Sequence, residues 1–341
     1  MESLTNARDL EQIVRDGLST LVFAFGYKTG IVEAFTKLQQ PCTAEELSQK
    51  AKKKLRYIQE WIGCMVAAGI VTITDDEKYS LPSNKAQLIT WGHTATAIPI
   101  LSEMIPKLEE VTTLDGPKGF GYHEPFLQWL DVLRSSEALQ DWNQRLLVPV
   151  MNLKQGNEFI LDIGCGFGKH SREVAKLYPR SKITAIDMDQ FSIDNAKKEL
   201  TKSGIQNIEY LCMKGGQLPE EWAGKFDFVI IKGVLHDSYE VDEILKGIKR
   251  VLKSDGFAAA YDPAVSSFHK NVINDATAQY NLPFSLFQCL PVSSMGPSEG
   301  LGIGWGYERR KQKIEEHGFR VVQVGDKDID TIQEGIVFQK I

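Results

Sequence analysis

Apolar residues follow two different patterns along this chain of 341 residues. Near the N-terminus they recur at helical spacing, as at Leu10, Val14 and Leu18, which predicts amphipathic helices. From Phe159 onward, short apolar runs alternate with longer amphipathic segments, which predicts strands separated by helices. Sequential β–α units of this kind form parallel sheets with right-handed crossovers. The sequence therefore predicts an α/β fold with a Rossmann-like sheet, preceded by a smaller α+β domain.

The first 90 residues predict a winged-helix arrangement. Thr43 and Glu46 form a T-x-x-E capping box that begins a short helix, and a second helix runs from Leu55 to a stop at Gly69. The segment IVTITDDEKYSLP then predicts a β-hairpin. We expect a winged-helix domain over residues 1–90, a helical connector over 91–157 and a larger domain over 158–341.

The segment from Phe159 to Asp187 carries the strongest motif. It predicts a strand, a turn with glycines at 164, 166 and 168, a helix, and a second strand that ends in Asp187. Such glycines let a ligand approach the backbone closely, and Asp187 lies 19 positions after Gly168, where a carboxylate can reach both ribose hydroxyls. A dinucleotide site would require G-x-G-x-x-G, but Lys169 stands where the third glycine would be. A glycine-rich turn without a ligand is the alternative.

The run from Asp162 to Gly168 resembles the D/E-x-G-x-G-x-G motif of class I S-adenosylmethionine (SAM) methyltransferases. The N-terminal segment is similar to the winged-helix domain of small-molecule O-methyltransferases. The matching positions are Arg56-Tyr57, Glu60-Trp61, Gly69-Ile70-Val71 and Tyr79-Ser80-Leu81-Pro82. The resemblance implies a class I methyltransferase sheet with an antiparallel terminal strand. It also implies SAM as cofactor, S-adenosylhomocysteine as product, a small-molecule methyl acceptor and a homodimer formed through the winged helix.

We expect the cofactor to lie against the carboxyl ends of the parallel strands. Asp162 is placed beside the turn as a partner for the α-ammonium group of SAM, and Asp187 is the expected partner of the ribose. The third strand ends in Cys212-Met213-Lys214, so the acid that pairs with the adenine amine in the resembling enzymes is missing. Backbone groups and apolar contacts are expected there instead. The predicted cofactor-binding residues are Asp162, Gly164, Cys165, Gly166, Gly168, Asp187, Met188, Met213, Lys214 and Lys232.

His236 is the predicted catalytic residue. Leu235-His236-Asp237 resembles the Leu/Cys-His-Asp segment of plant-type O-methyltransferases, which implies that His236 is the general base for a hydroxyl acceptor. A structural or cofactor-contacting role for His236 is the alternative. A thiol acceptor would need the base less, because part of a thiol is already ionised near neutral pH. No metal is expected, since Lys232 stands where a hard cation would need a carboxylate.

Residues 262–304 are rich in Pro, Ser, Asn and Gly and predict an irregular lid and wall for the substrate. This lid and the helical connector supply the predicted substrate-binding residues, and ordinary packing is the alternative role for each of them. They are Tyr122, His123, Tyr280, Phe287 and Trp305.

Composition narrows the classes of function. The net charge of −6 argues against a protein that binds nucleic acid through phosphate contacts, and no apolar run approaches the about 20 residues of a membrane span. The five cysteines form no C-x-x-C pair, which suits a reducing compartment. We therefore expect a cytoplasmic protein that contacts no membrane. The alternative function is a SAM-binding winged-helix regulator that binds DNA through the basic residues between Lys50 and Arg56, and a protein methyltransferase is a third, weaker alternative.

Overall fold

A computed structural model describes residues 8–82, 84–133, 157–296, 300–324 and 333–341. The chain divides into two compact units, one formed by Met1–Ile105 and Glu124–Leu133, the other by Pro106–His123 and Arg134–Ile341. The domain boundaries predicted at residues 90 and 157 stay predictions. The helix predicted after Phe126 is present as far as Leu133, and its continuation lies outside the described residues.

Helices and one small hairpin form the first unit, as its sequence pattern predicts. The capping box is present: Thr43 Oγ1 accepts a hydrogen bond from the Glu46 N–H, and the Thr43 N–H donates to Glu46 Oε2. Side chains such as Leu47, Ile58 and Met65 are fully buried in the core of this unit. The described elements up to residue 133 are α1 (Leu10–Lys28), α2 (Ile31–Thr36), α3 (Ala44–Ala51), α4 (Leu55–Ala67), β1 (Thr72–Ile73), β2 (Tyr79–Ser80), α5 (Lys85–Ala95), α6 (Ala97–Ser102), α7 (Ile105–Val111) and α8 (Glu124–Leu133).

Helix α1 buries only part of its apolar surface. Phe23 and Ala24 in its second half are buried, whereas Leu10, Val14 and Leu18 are 76%, 61% and 61% exposed. Removal of large apolar side chains from water lowers the free energy of the system. An exposed row of such side chains therefore marks a surface suited to contact with another molecule.

A seven-stranded sheet organises the second unit. Its strand order is β5-β4-β3-β6-β7-β9-β8. The first five strands of this order are parallel to one another, and β9 runs antiparallel to both of its neighbours, β7 and β8. The predicted parallel sheet and its antiparallel terminal strand are therefore confirmed. The strands are β3 (Phe159–Ile163), β4 (Lys182–Asp187), β5 (Ile208–Cys212), β6 (Phe226–Lys232), β7 (Leu252–Pro263), β8 (Phe319–Val324) and β9 (Gln333–Lys340).

Helices pack on both faces of this sheet. Successive residues of a strand point to opposite faces, and in β3 Leu161 belongs to the same core cluster as Ile248 while Ile160 belongs to that of Val174. The sheet is thus buried on both sides, and its ligand-accessible edge is the one where the parallel strands end. The described helices that follow β3 are α9 (Lys169–Leu177), α10 (Gln190–Ser203), α11 (Val241–Val251), α12 (Ala276–Phe284), α13 (Leu290–Ser293) and α14 (Gly306–Glu316).

Two predicted elements differ from the structure. The segment 262–304 is not irregular throughout: it contains α12, a π-helical turn over Ser285–Cys289, and α13. Asp275 caps α12 by accepting a hydrogen bond from the Ala278 N–H at 2.6 Å, and buried contacts of its apolar residues outweigh the low helix propensity of this segment. In addition, α11 ends at Val251 and β7 begins at Leu252, five residues before the predicted Phe257.

No helix among the residues that the structure describes is long and apolar enough to span a membrane. The cytoplasmic location predicted from composition stays a prediction.

Candidate active site

The glycine turn joins β3 to α9 at the carboxyl edge of the sheet. Gly164, Gly166 and Gly168 all have positive φ, at 72°, 54° and 70°. A Cβ on Gly168 would lie 2.3 Å from the hydroxyl of Tyr210, so this glycine permits close packing, whereas a Cβ on Gly166 would meet no atom within 4 Å. The turn therefore keeps open space at Gly166, where a ligand can approach the backbone.

Asp187 ends β4 and is bonded directly to the glycine turn. Its Oδ2 accepts a hydrogen bond from the Gly166 N–H at 2.8 Å, and its Oδ1 accepts one from the Asp189 N–H at 2.9 Å. A carboxylate offers about four acceptor positions, so these two bonds are compatible with hydrogen bonds from two ribose hydroxyls. The carboxylate and the open position at Gly166 thus stand together, and they fit the adenosyl part of SAM.

Asp162 and Cys165 lie beneath the turn. Asp162 is 2% exposed and its Oδ2 accepts a hydrogen bond from Ser171 Oγ at 2.6 Å, while His170 Nδ1 lies 4.0 Å from the same oxygen. Cys165 is buried with Tyr210 in a small apolar cluster, and burial raises the pKa of its thiol well above the usual value. Both side chains support the turn, and a contact of either residue with the cofactor stays a prediction.

The neighbouring strand ends carry the other predicted cofactor residues. Met188 is 44% exposed directly after β4, and Met213 follows β5 and packs partly against the main core. The ammonium group of Lys214 lies 5.6 Å from the centre of the Tyr239 ring and 3.6 Å from Glu240 Oε1. Lys232 is half-buried at the end of β6. These residues share the edge of the sheet that carries the glycine turn.

His236 lies in a 3₁₀ turn after β6 and is buried between two carboxylates. Its Nδ1 pairs with Oδ1 of Asp262, the fully buried acid near the end of β7, and its Nε2 lies 2.9 Å from Asp237 Oδ1. Burial alone would lower the pKa of His236, but the charges of Asp237 and Asp262 outweigh it and raise that pKa well above the usual value. For Asp262 burial acts in the opposite direction and would raise the pKa of the carboxyl group. The neighbouring charges of His236 and Arg310 outweigh burial and hold that pKa below its usual value.

Tyr122 and His123 both approach this cluster. The Tyr122 hydroxyl donates to Asp237 Oδ2 at 3.3 Å, and the His123 N–H donates to Gln288 Oε1 at 3.3 Å. Gln288 and its neighbour Cys289 come from the π-helical turn, and the Cys289 thiol is close to both His236 and Asp237. Burial and the charge of Asp237 raise the pKa of Cys289 to about 12, so this thiol is protonated at neutral pH and is a poor nucleophile.

The remaining predicted substrate residues have other surroundings. The Tyr280 ring packs against Phe284 with 5.3 Å between the ring centres, and Trp305 packs partly against the main core of the sheet. Phe287 is half-buried on the π-helical turn. A substrate contact of any of the three stays a prediction.

Three residues around His236 escaped sequence reasoning, Asp262, Cys289 and Arg310. An acid near the carboxyl end of a buried strand, as in AAAYDP, is a signal that could have placed Asp262 beside His236. Arg310 gives no comparable signal, because it looks like one more charged residue of the amphipathic helix α14.

The atoms of His236, Asp237 and Cys289 that could serve as metal ligands lie within 4.8 Å of one another. Both ring nitrogens of His236 already meet carboxylates, so we interpret the group as an acid–base cluster.

Two family models match the chain. Residues 154–299 match the model described as Methyltransferase domain, and residues 17–91 match the Rv2258c-like winged HTH domain. A curated relative, malonyl-[acyl-carrier protein] O-methyltransferase of Legionella pneumophila, is 29% identical over 126 residues, which are 37% of this chain and 43% of that protein. The chain spans less than half the length of the first curated relatives that it matches.

Solved structures are similar over nearly the whole chain. Human N-acetylserotonin methyltransferase in complex with SAM has a TM-score of 0.65 at 16% identity, with 100% of this chain and 99% of that chain covered. A protein described as a pericyclic reaction enzyme has a TM-score of 0.64 at 15% identity, with 98% and 90% covered. At these identities the likeness establishes the fold, and one fold can host different reactions.

The family models, the strand order and the glycine turn agree with one another. The chain therefore carries a methyltransferase domain with the class I fold, preceded by an N-terminal winged helix-turn-helix domain.

Proposed function

We propose that this protein transfers a methyl group from SAM to a hydroxyl or thiol group of a small molecule. One observation carries the proposal: the glycine turn with Asp187 and the buried His236 lie at the carboxyl ends of neighbouring parallel strands. A ligand at the turn and an acceptor at His236 would therefore meet at one edge of the sheet.

SAM supplies a sulfonium methyl group, whose leaving group is already activated. The protein then has to hold donor and acceptor in line and keep water away from them. We assign Asp187 as the residue that binds the ribose of SAM and Gly166 as the position where the cofactor approaches the backbone. Met188 and Met213 are assigned to apolar contact with the adenine. Lys214 and Lys232 complete the predicted cofactor site at the neighbouring strand ends.

His236 is assigned as the general base for a hydroxyl acceptor. Asp262 holds the Nδ1 side of the ring, so Nε2 is the atom that would take the acceptor proton. In this structure Nε2 meets Asp237 at 2.9 Å, and the acceptor must therefore take the place of that carboxylate. Tyr122, which donates to Asp237, is then positioned to follow the carboxylate or to contact the acceptor.

The winged helix is assigned to assembly and not to DNA. On the exposed face of α4, Arg56 forms an ion pair with Glu60, which compensates one charge of the basic cluster. The exposed apolar row Leu10, Val14 and Leu18 on α1 suits contact with a second copy of the chain. We therefore include a homodimer in the proposal.

The decisive experiment incubates the protein with methyl-labelled SAM and pooled hydroxyl, thiol and amine metabolites. The proposal expects label in a hydroxyl or thiol compound and formation of S-adenosylhomocysteine. The variant Asp187→Ala serves as the control that lacks the ribose partner. Label only in amines would contradict the assigned acceptor class. SAM binding without any turnover across hydroxyl and thiol pools, or conversion of a metabolite without use of SAM, would contradict methyl transfer altogether.

A further inference from the structure

Arg310 is a buried cation that no step of the proposed reaction uses. It lies on α14, is 2% exposed, and its Nη1 is 3.8 Å from Oδ2 of Asp262. Asp262 is itself fully buried and uses its other oxygen, Oδ1, for His236 Nδ1. A charged side chain is rarely buried this deeply unless it has a charge partner. We therefore interpret Asp262 as the charge partner of buried Arg310.

The charged groups around His236 form a row of alternating charge. Arg310 faces Asp262, Asp262 faces His236, and His236 faces Asp237, which accepts a hydrogen bond from the Tyr122 hydroxyl. Cys289 approaches His236 and Asp237 from the π-helical turn. These groups come from α14, β7, the 3₁₀ turn, the π-helical turn and the segment before α8.

A general base must be neutral before it can accept a proton. When His236 is neutral, its ring no longer provides a positive charge next to the buried carboxylate of Asp262. A buried anion without a positive neighbour is unfavourable in a low-dielectric site. A guanidinium cannot lose its proton in a protein, so Arg310 supplies a permanent positive charge beside Asp262 in that state. The same charge makes protonated His236 less favourable, because it repels the imidazolium.

We propose that Arg310 is a positioning residue for His236. It keeps Asp262 ionised while His236 is neutral, so that the ring holds its proton on Nδ1 and presents Nε2 to the acceptor. This inference rests on the proposed function for its purpose, but the electrostatic coupling of the three residues is measurable without any acceptor.

The test is an NMR titration of the intact protein labelled only in histidine, with the signal of His236 assigned through His236→Gln. We expect Arg310→Met to raise the titration midpoint of His236 by about one pH unit, since a nearby positive charge is removed. Asp262→Asn should lower the midpoint, because a negative charge is removed. Arg310→Lys keeps the charge and should leave the midpoint within a few tenths of a pH unit of the wild type.

Arg250→Met is the matched control. Arg250 on α11 donates to the backbone oxygens of Leu218 and Pro219, so its loss removes a part-buried guanidinium outside the His236 cluster. The His236 midpoint should not change in this variant. The proposal is overturned if Arg310→Met leaves the midpoint and the Nδ1–H tautomer as they are in Arg250→Met. If Arg310→Met does not fold, the other two variants decide. The proposal is then overturned if the His236 midpoint shifts by one pH unit in Arg310→Lys, or if it does not fall in Asp262→Asn.

A kinetic arm separates this inference from the proposed function. With an acceptor found by labelled SAM, Arg310→Met should lower kcat about tenfold at a pH below the His236 midpoint, with the KM for SAM unchanged, and Arg310→Lys should restore most of it. If the wild type transfers no methyl group, the proposed function is wrong. The NMR titration then still tests whether Arg310 controls the protonation of His236. A wild type that is active, with an Arg310→Met variant of unchanged pH profile, would defeat only this inference.

Discussion

At the scale of single residues, the state of His236 is decided by its two carboxylate neighbours. Asp262 and Asp237 lie on opposite sides of the ring, and together they favour the imidazolium even though burial opposes it. Only the neutral form of His236 can accept a proton, so the carboxylates that favour the imidazolium also influence the pH range in which this base works. The pH dependence of the reaction therefore reports directly on this cluster.

We expect the rate of methyl transfer to a hydroxyl acceptor to rise with pH along a limb whose midpoint lies above 6.5, the ordinary pKa of histidine. The reason is that only neutral His236 can take the acceptor proton. A pH profile of kcat/KM, which reports the free enzyme in which Asp237 still faces His236, checks this for the wild type and for Asp237→Asn: loss of one carboxylate should move the limb to lower pH. A midpoint at or below 6.5 in the wild type would contradict the assignment.

The same group links stability to pH. Because the pKa of His236 is raised in the folded state, its contribution to stability is fully present below about pH 6.5 and is lost as the pH rises through the folded pKa. We expect the difference in unfolding free energy between wild type and His236→Gln to shrink over that range. Urea denaturation at several pH values measures it, and a difference that grows with pH would be the opposite of this expectation.

Sequence reasoning found His236 with the adjacent Asp237, and Tyr122 as a wall residue, but it did not find the buried groups Asp262 and Arg310. Its identity follows from a local motif, whereas its neighbours come from distant parts of the chain, such as Tyr122, 115 residues before Asp237. Local periodicity carries no information about such pairs. The acid at the end of β7 was within reach of the strand-end rule, but Arg310 became visible only once α14 had been placed against the sheet.

At the scale of elements, the glycine turn combines two requirements that can be separated. Gly168 allows the turn to pack against Tyr210, whose hydroxyl donates to the Gly168 oxygen at 2.9 Å. Gly166 has the same kind of backbone conformation but faces open space. One glycine therefore serves the fold, and the other leaves room for a ligand.

We expect Gly166→Ala and Gly168→Ala to have different effects. Both place an L-residue at positive φ, at a cost of about 1–2 kcal/mol each. Gly168→Ala adds a clash with Tyr210 and should therefore lower thermal stability further. Gly166→Ala should cause only a modest loss of stability but a clear loss of SAM affinity, because its methyl group enters the space left for the ligand. Calorimetric unfolding and SAM titration of both variants measure this. Equal effects of the two substitutions on stability and on affinity would argue against the division of roles.

Elements with strong local signals were predictable from sequence, and those that depend on packing were not. Strand β3 and the capping box at Thr43 have the predicted positions because apolar runs and capping residues act locally. The helices within 262–304 were missed because Pro283, Ser285 and their neighbours indicate irregular backbone, and only burial against the rest of the unit stabilises them.

At the scale of the whole molecule, the exposed face of α1 is the feature that points beyond one chain. Its apolar row has helical periodicity, yet the core of the first unit uses residues from the second half of the helix, such as Phe23 and Ala24. Such a face is costly to leave in water. A second copy of the same chain would cover it and would account for the row from Leu10 to Leu18.

We expect the double variant Val14→Glu, Leu18→Glu to be monomeric at concentrations where the wild type is dimeric. Excluding two large side chains from water contributes about 3 kcal/mol or more per face, which corresponds to at least about a hundredfold in the dissociation constant. Sedimentation velocity measures it, with Gln12→Glu as a control that adds charge to α1 without removing apolar surface. A wild type that is monomeric, or a double variant that stays dimeric, would contradict the assignment of this face.

A calorimetric titration with SAM of the wild type, Asp187→Ala and the control Asp194→Asn, an exposed acid on α10, tests whether Asp187 holds the cofactor beside the glycine turn. We predict one SAM per chain for the wild type and the control, and an affinity at least about a hundredfold lower for Asp187→Ala, because charge-assisted hydrogen bonds to the ribose are lost. Unchanged SAM affinity in Asp187→Ala, with the fold intact, would contradict it.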